Sequence, residues 1–166
     1  MCLTAACQIQ AAILEAALKK WTPVGQAELA SWRETPAGDK SIILGKHGVG
    51  RKQIRQYASF EIISAILKGR VIERRLVKRS SAEAAQTKLP PVEVKLLVAH
   101  SFPQTRDGKQ VTRHIHVAVV FVPGSRHWTI TTVYDPEDDA DRWSENYTRR
   151  ICWCHSKQNS GGKEVK

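Results

Sequence analysis

Cysteine is missing from the whole middle of this chain: Cys2 and Cys7 stand near one end, Cys152 and Cys154 near the other, with none between. A disulfide scaffold spreads its cysteines along the chain, so this distribution points to a reduced, cytoplasmic setting. Long apolar runs are missing too. A membrane-spanning helix needs about 18 or more consecutive apolar residues, and no stretch approaches that. No basic residue precedes the apolar stretch at the start; Gln8, Gln10 and Glu15 interrupt it, and Lys19-Lys20 follows it, the wrong order for export. There is no dinucleotide fingerprint and no catalytic Ser or Cys triad signature, and the glycines of 45–50 lack the Gly-Lys-Ser ending of a phosphate loop. Acid is scarce: 16 Asp and Glu against 26 Lys and Arg leave a net charge of +10. A field of that size draws polyanions, of which nucleic acid is the commonest in a cell; an acidic partner protein, or solubility alone, is the competing account.

What is present fits one domain with extensions. The chain has 166 residues, 42% hydrophobic and 25% charged, ordinary for a globular protein of that size. Residues 4–20 show helical spacing at Ile9, Ala12, Ile13, Ala16 and Ala17, with Trp21-Thr22-Pro23 ending the helix and a second short one over 26–33. The turn cluster Thr35-Pro36-Ala37-Gly38-Asp39 closes this extension. The division expected is a helical extension over 1–40, an α+β domain over 41–152 and a disordered basic tail over 153–166.

Inside the domain, 51–68 carries Ile54, Tyr57, Ala58, Ile62, Ala65 and Ile66 at intervals of a helix, with Gly69 at its end and a break favoured near Ala58-Ser59. A strand follows over 70–77, then a loop over 78–91. Alternation predicts strands over 92–100, 111–122 and 127–134, with a turn or long hairpin loop around Asp107-Gly108. After the acidic turn 135–139, a helix is expected over 141–149. The fold class is thus α+β: a small antiparallel sheet of about four strands with helices packed on one face, plus the N-terminal helical extension.

Three segments in this order resemble a known family. KHGVGRKQIRQYASFEIISAILKGRVIE places a His, an Arg four residues on, a helix, a Gly and a strand; RHIHVAVVF is followed by HWTITTVYDP; DRWSENYTRR closes the set. Together they resemble the domain of unknown function 4258 family, and the phrase Thr132-Val133-Tyr134-Asp135-Pro136 is its most specific part. The resemblance implies a fold similar to the barnase, EndoU and RelE-like group of metal-independent ribonucleases, many of them toxins paired with an antitoxin. The chain departs from the family pattern in its N-terminal extension, an insert around 79–91 and the Cys-Trp-Cys-His ending.

Metal-free RNA cleavage needs a base for the 2′-hydroxyl, an acid for the leaving 5′-oxygen and cations for the phosphorane charge. If the helix starts by Lys46, His47 and Arg51, four apart, share one face, which Arg55 extends. His114 and His116 alternate with Ile115 and Val117, so one sheet face carries imidazoles and the other a core. Thr132 and Tyr134 share a face of the next strand. The catalytic candidates are therefore His47, Arg51, His116, Thr132 and Tyr134; the RNA-binding candidates are Arg55, Arg113, His114, Arg149 and Arg150. An exposed polar sheet face with no task is the competing reading. Arg142, Trp143, Tyr147 and the Arg pair could stack bases, or pack against the sheet. Cys152, Cys154 and His155 offer three ligands at cramped spacing for zinc, so neither a metal nor a cofactor is expected. RNA is the expected partner, with an antitoxin or other protein as a second, bound through the basic face or the apolar face of Ile9, Ile13, Ala16 and Ala17. The function expected is a toxin-like, metal-independent endoribonuclease; a non-catalytic RNA- or partner-binding module, or a regulatory subunit held by its N-terminal helices, stands as the alternative.

Overall fold

The computed structural model describes residues 5–45 and 57–153. Its elements in chain order are α1 (Ala5–Glu34), β1 (Ser41–Leu44), α2 (Ser59–Lys68), β2 (Arg70–Lys78), α3 (Ser81–Thr87), β3 (Val92–Arg106), β4 (Lys109–Phe121) and β5 (His127–Tyr134), with 3-10 turns at Ala37–Asp39 and Pro136–Arg142. The fold is α+β. The sheet has five strands rather than four and is mixed rather than wholly antiparallel: its order is β1-β5-β4-β3-β2, and β1 runs parallel to β5 at one edge. Four residues of Ser-Ile-Ile-Leu carry too little alternation to announce an edge strand, and its pairing is set by β5.

The meander follows from turn chemistry. Asp107 and Gly108 both take left-handed φ (51° and 73°), so β3 and β4 join through a two-residue turn whose twist suits a hairpin. Of the turn or long hairpin loop expected over 102–109, the structure has the turn at Asp107-Gly108, with paired strand out to Arg106 and Lys109. Alternation then sorts the side chains. Val94, Leu96, Val98, Ile115, Val117, Val119, Trp128, Ile130 and Val133 meet Ile62, Ala65 and Ile66 of α2 and Leu29 and Trp32 of α1 in the principal core. A register shift at Thr131 moves the parity of β5, so Trp128 and Ile130 face the helices while Thr132 pairs with Ala118 and Tyr134 with His116 on the opposite face.

Helix α1 continues through Pro23, where the sequence predicts a break between two helices. The tertiary contacts outweigh the missing donor: Gln26 Oε1 accepts from Val71 N–H at 2.8 Å, the Thr22 hydroxyl lies 3.5 Å from Ile72 O, and Arg74 pairs with Glu28 at 2.8 Å. The helix thereby covers the β2 edge, which would otherwise be open for pairing. Helix α2 starts after Ala58, whose N–H donates to Glu61 Oε2 at 2.7 Å. The expected loop over 78–91 contains α3, capped by Ser80 Oγ accepting from Glu83 N–H.

The helix expected over 141–149 is not formed. Ser144 Oγ accepts from Arg149 N–H and Asn146 Oδ1 from Thr148 N–H, and Trp143 bridges to Arg150. Short polar side chains here bind the backbone that a helix would need. The segment lies over the second sheet face, where Trp143 packs with Ile72, Leu97, Ala99 and Ala118, and Tyr134 and Tyr147 border it. Among the described residues, no helix is long and apolar enough to cross a membrane.

Candidate functional site

β2 begins opposite Ala99, but β3 continues to Arg106, so the β3–β4 hairpin projects past the end of β2. A cavity of about 340 Å³ opens at that step. It is lined by Lys68 and Gly69 at the end of α2, Arg70 at the start of β2, Ala99, His100 and Ser101 on β3, His114 and His116 on β4, and Asn146, Tyr147 and Thr148 of the C-terminal segment. Ser101 and His114 are direct cross-strand partners, which places them on the same face. Lys68 and Arg70 are exposed at its rim.

Close packing holds the cavity's first wall. A Cβ on Gly69 would come within 3.0 Å of Ala65 O, Ala99 O and Val98 Cγ1, so only glycine lets α2 end against β3 here. Arg33 of α1 donates to Ile66 O at 2.9 and 2.8 Å and also to Gly69 O, satisfying the last carbonyls of α2. Burial lowers the pKa of His100 from its ordinary value, and the positive charges of Lys68 and Arg33 lower it further. His100 is therefore neutral at pH 7, with a ring nitrogen able to take a proton.

The second wall is the tight loop of the C-terminal segment. Tyr147 has a left-handed backbone (φ 56°), a strained state for a non-glycine residue. Its ring lies 4.7 Å from that of His114, and its carbonyl accepts from His116 Nε2 at 2.8 Å. Because Nε2 donates, the neutral ring has an accepting Nδ1, and the Tyr134 hydroxyl donates to it at 3.1 Å. His116 is 1% exposed, and burial pushes its pKa down to about 4.

This placement corrects several sequence-based expectations. His116 does face the same side as Thr132 and Tyr134, but that side is covered, not an exposed polar surface. His116 lines the 340 Å³ cavity as well, but its ring is buried and both nitrogens are engaged, one of them holding the Tyr147 carbonyl. Burial raises the Tyr134 pKa, its largest influence, so the hydroxyl stays a donor. Tyr134 borders a separate cavity of about 280 Å³ lined by Asp135, Asp138 and Asp139 together with Arg142, Trp143 and Arg150. Thr132 is half-buried opposite Ala118. Arg150 is turned inward: its Nε donates to Glu73 Oε1 at 2.7 Å and its guanidinium covers Trp143 at 4.5 Å. Arg113 lies 4.1 Å over the Tyr57 ring and 4.0 Å from Asp135. Arg149 is exposed and pairs with Glu15 at 3.2 Å. Among the described RNA-binding candidates, only His114 lines the 340 Å³ cavity. His47, Arg51 and Arg55 lie outside the described residues, as do Cys154, His155 and the tail from 154 to 166.

His100, Ser101, Lys68, Arg70 and Asn146 were not singled out by sequence reasoning. A signal existed for Ser101: counting outward from Asp107-Gly108 as a two-residue turn sets it opposite His114. Among the described residues, no group of three or more His, Cys, Asp or Glu is arranged to hold a metal ion. No family model, no curated protein and no solved structure matches the chain.

Proposed function

We propose that the protein binds single-stranded RNA and cleaves it without a metal ion, in the cavity between Lys68–Arg70, His100–Ser101, His114 and the 146–148 loop. The observation that carries this reading is a cavity rimmed by Lys68 and Arg70 that both His100 and His114 line, at the sheet edge beyond β2. His114 reaches it from the face it shares with Ser101, and His100 from the face it shares with Ile115. It agrees with the net charge of +10 and with what the resemblance to the domain of unknown function 4258 family implies.

In this reading one imidazole takes the proton of a ribose 2′-hydroxyl as its oxygen attacks the adjacent phosphorus. The other gives a proton to the departing 5′-oxygen, leaving a 2′,3′-cyclic phosphate and a 5′-hydroxyl. His100, neutral at pH 7, suits the base role. Lys68, Arg70 and the Ser101 hydroxyl face the phosphate oxygens, and the Tyr147 ring offers a flat surface to a base. Activity falls as pH drops through the lowered His100 pKa, because the base is then already protonated.

The test uses labelled single-stranded RNA and the purified chain in excess EDTA. Cleavage to cyclic-phosphate ends is expected, and His100→Ala and His114→Ala each reduce its rate by roughly 10²–10⁴-fold with the fold retained by circular dichroism. Binding that weakens steeply with salt but never leads to cleavage would leave a non-catalytic RNA-binding module; no binding at low salt would remove both.

A protein partner, such as an antitoxin, is a second reading, favoured by an exposed apolar stripe on α2. Phe60, Ile63 and Leu67, at i, i+3 and i+7, are 74%, 38% and 48% exposed.

A further inference from the structure

Helix α1 is held unevenly. Its second half lies along β2 and supplies Leu29 and Trp32 to the core, whereas Ile9, Ile13 and Trp21 are exposed. Before Gly25, Cys7 is the one buried residue among the described side chains of this helix. It is buried against another thiol. Cys7 Sγ lies 4.0 Å from Cys152 Sγ, across 145 positions of sequence, and Trp153 N–H donates to Cys7 Sγ at 3.2 Å. Glu15 and Arg149 join the same two segments further along. The N-terminal half of α1 is therefore attached at the C-terminal segment, and that segment forms the 146–148 wall of the 340 Å³ cavity.

A buried cysteine often serves only as a small hydrophobe. One such residue would suit this contact, and two thiols in van der Waals contact are more than packing requires. We propose that Cys7 and Cys152 form a reversible dithiol–disulfide site that locks α1 onto the C-terminal segment when a low-molecular-weight disulfide such as oxidised glutathione is present. Cys152, the more exposed of the two at 9%, attacks the external disulfide as its thiolate. A mixed disulfide forms and one glutathione leaves as the thiol. Cys7 then attacks the Cys152 sulfur and releases the second glutathione, so two protein thiols become one disulfide and the oxidant is reduced to two thiols. The loop closed spans nearly the whole chain, the case in which a cross-link restricts the unfolded state most.

The experiment incubates the full chain, and a Cys2→Ser/Cys154→Ser form that excludes other pairings, with oxidised glutathione. The result expected is a loss of two titratable thiols, a monomer about 2 Da lighter, and a Cys7–Cys152 cross-linked peptide on non-reducing digestion. The thermal midpoint rises by about 5–10 °C, reverts with dithiothreitol, and does not rise in Cys7→Ser or Cys152→Ser. Two thiols that survive until the protein is denatured, or a cross-linked peptide joining any other pair in the unsubstituted chain, overturn the proposal. Peptide mapping of the unsubstituted chain separates these outcomes even if the double variant does not fold.

Discussion

The two faces of the sheet are built from the same strands and obey different rules. On the helical face, alternate residues of β3, β4 and β5 are aliphatic or aromatic, and the cover consists of regular helices. Trp128 stacks between Phe121 at 4.4 Å and Trp32 at 5.1 Å, and both indole N–H groups donate to backbone carbonyls. On the other face Ile72 and Leu97 stand among small or polar residues, Ala99, Ala118, His116 and Glu73, beneath the irregular C-terminal segment carrying Trp143. The first is sustained by shape and apolar area, the second by a smaller apolar cluster around Trp143 together with buried hydrogen bonds, and the 340 Å³ cavity opens at the second face's edge.

The largest effect is expected where the first rule holds alone. Trp128→Ala removes the central ring of the stack and leaves a void that α1 and β5 cannot close. Urea unfolding should show a loss of about 3–5 kcal/mol. A loss below about 1 kcal/mol would mean that the helical face is looser than its packing implies.

The second face should differ in kind, through pH. His116 is neutral in the folded protein with its pKa near 4, below the ordinary 6.5 it regains on unfolding. Above pH 6.5 neither state binds the proton. Between 6.5 and 4 the unfolded state binds it and the folded state does not, so stability is lost as pH falls through that window, by about 3 kcal/mol in total. Urea midpoints at pH 7 and 4.5, compared with His116→Phe, isolate this from the carboxylates. An equal slope in both proteins would sink the assignment of His116 as the acid-sensitive latch behind Tyr147.

Next in size comes Glu73→Gln. Glu73 is 5% exposed and holds Arg150 and Arg75 at 2.7 and 2.9 Å, while Arg150 rests on Trp143 and Trp153. Removing the charge leaves Arg150 largely buried without its carboxylate, whereas Arg75 is half-exposed and can turn to water. A loss of about 2 kcal/mol at neutral pH is expected, read from the same denaturant titration. No loss would show that the cover is held by its aromatic contacts alone.

The same contrast explains what could be read from the sequence. Strands β4 and β5 were legible because Ile115, Val117 and Val119, or Trp128 and Ile130, alternate against a helical cover. The facing of His116 with Tyr134 was not fixed by alternation: the parity of Trp128 and Ile130 would put Tyr134 on the helical face, and the register shift at Thr131 reverses it. The irregular cover was not legible either. Arg142, Trp143, Tyr147 and Arg150 fall near helical spacing, but Ser144 and Asn146 divert the backbone into a loop, a choice made by side-chain geometry that leaves no period. The continuity of α1 through Pro23 escaped for a related reason: it depends on Val71 N–H and the β2 edge, contacts distant in sequence. The 340 Å³ cavity combines both difficulties, since its walls come from α2, β2, β3, β4 and the loop at 146–148.

The smallest effect sharpens the comparison within α1 itself. Glu15 and Arg149 link the N-terminal half of the helix to the C-terminal segment, but their side chains are 61% and 63% exposed. An exposed pair gains little in water and is screened by salt, so Glu15→Ala should cost less than about 0.5 kcal/mol and less still at high ionic strength. Native-state hydrogen exchange gives the finer reading. Amides of the first half of α1 should exchange through local opening well before those around Leu29 and Trp32, and Glu15→Ala should hasten only the former. A cost above about 1 kcal/mol, or acceleration reaching Leu29, would mean that the two halves open as one cooperative unit, with the buried contact at Cys7 coupled directly to the core.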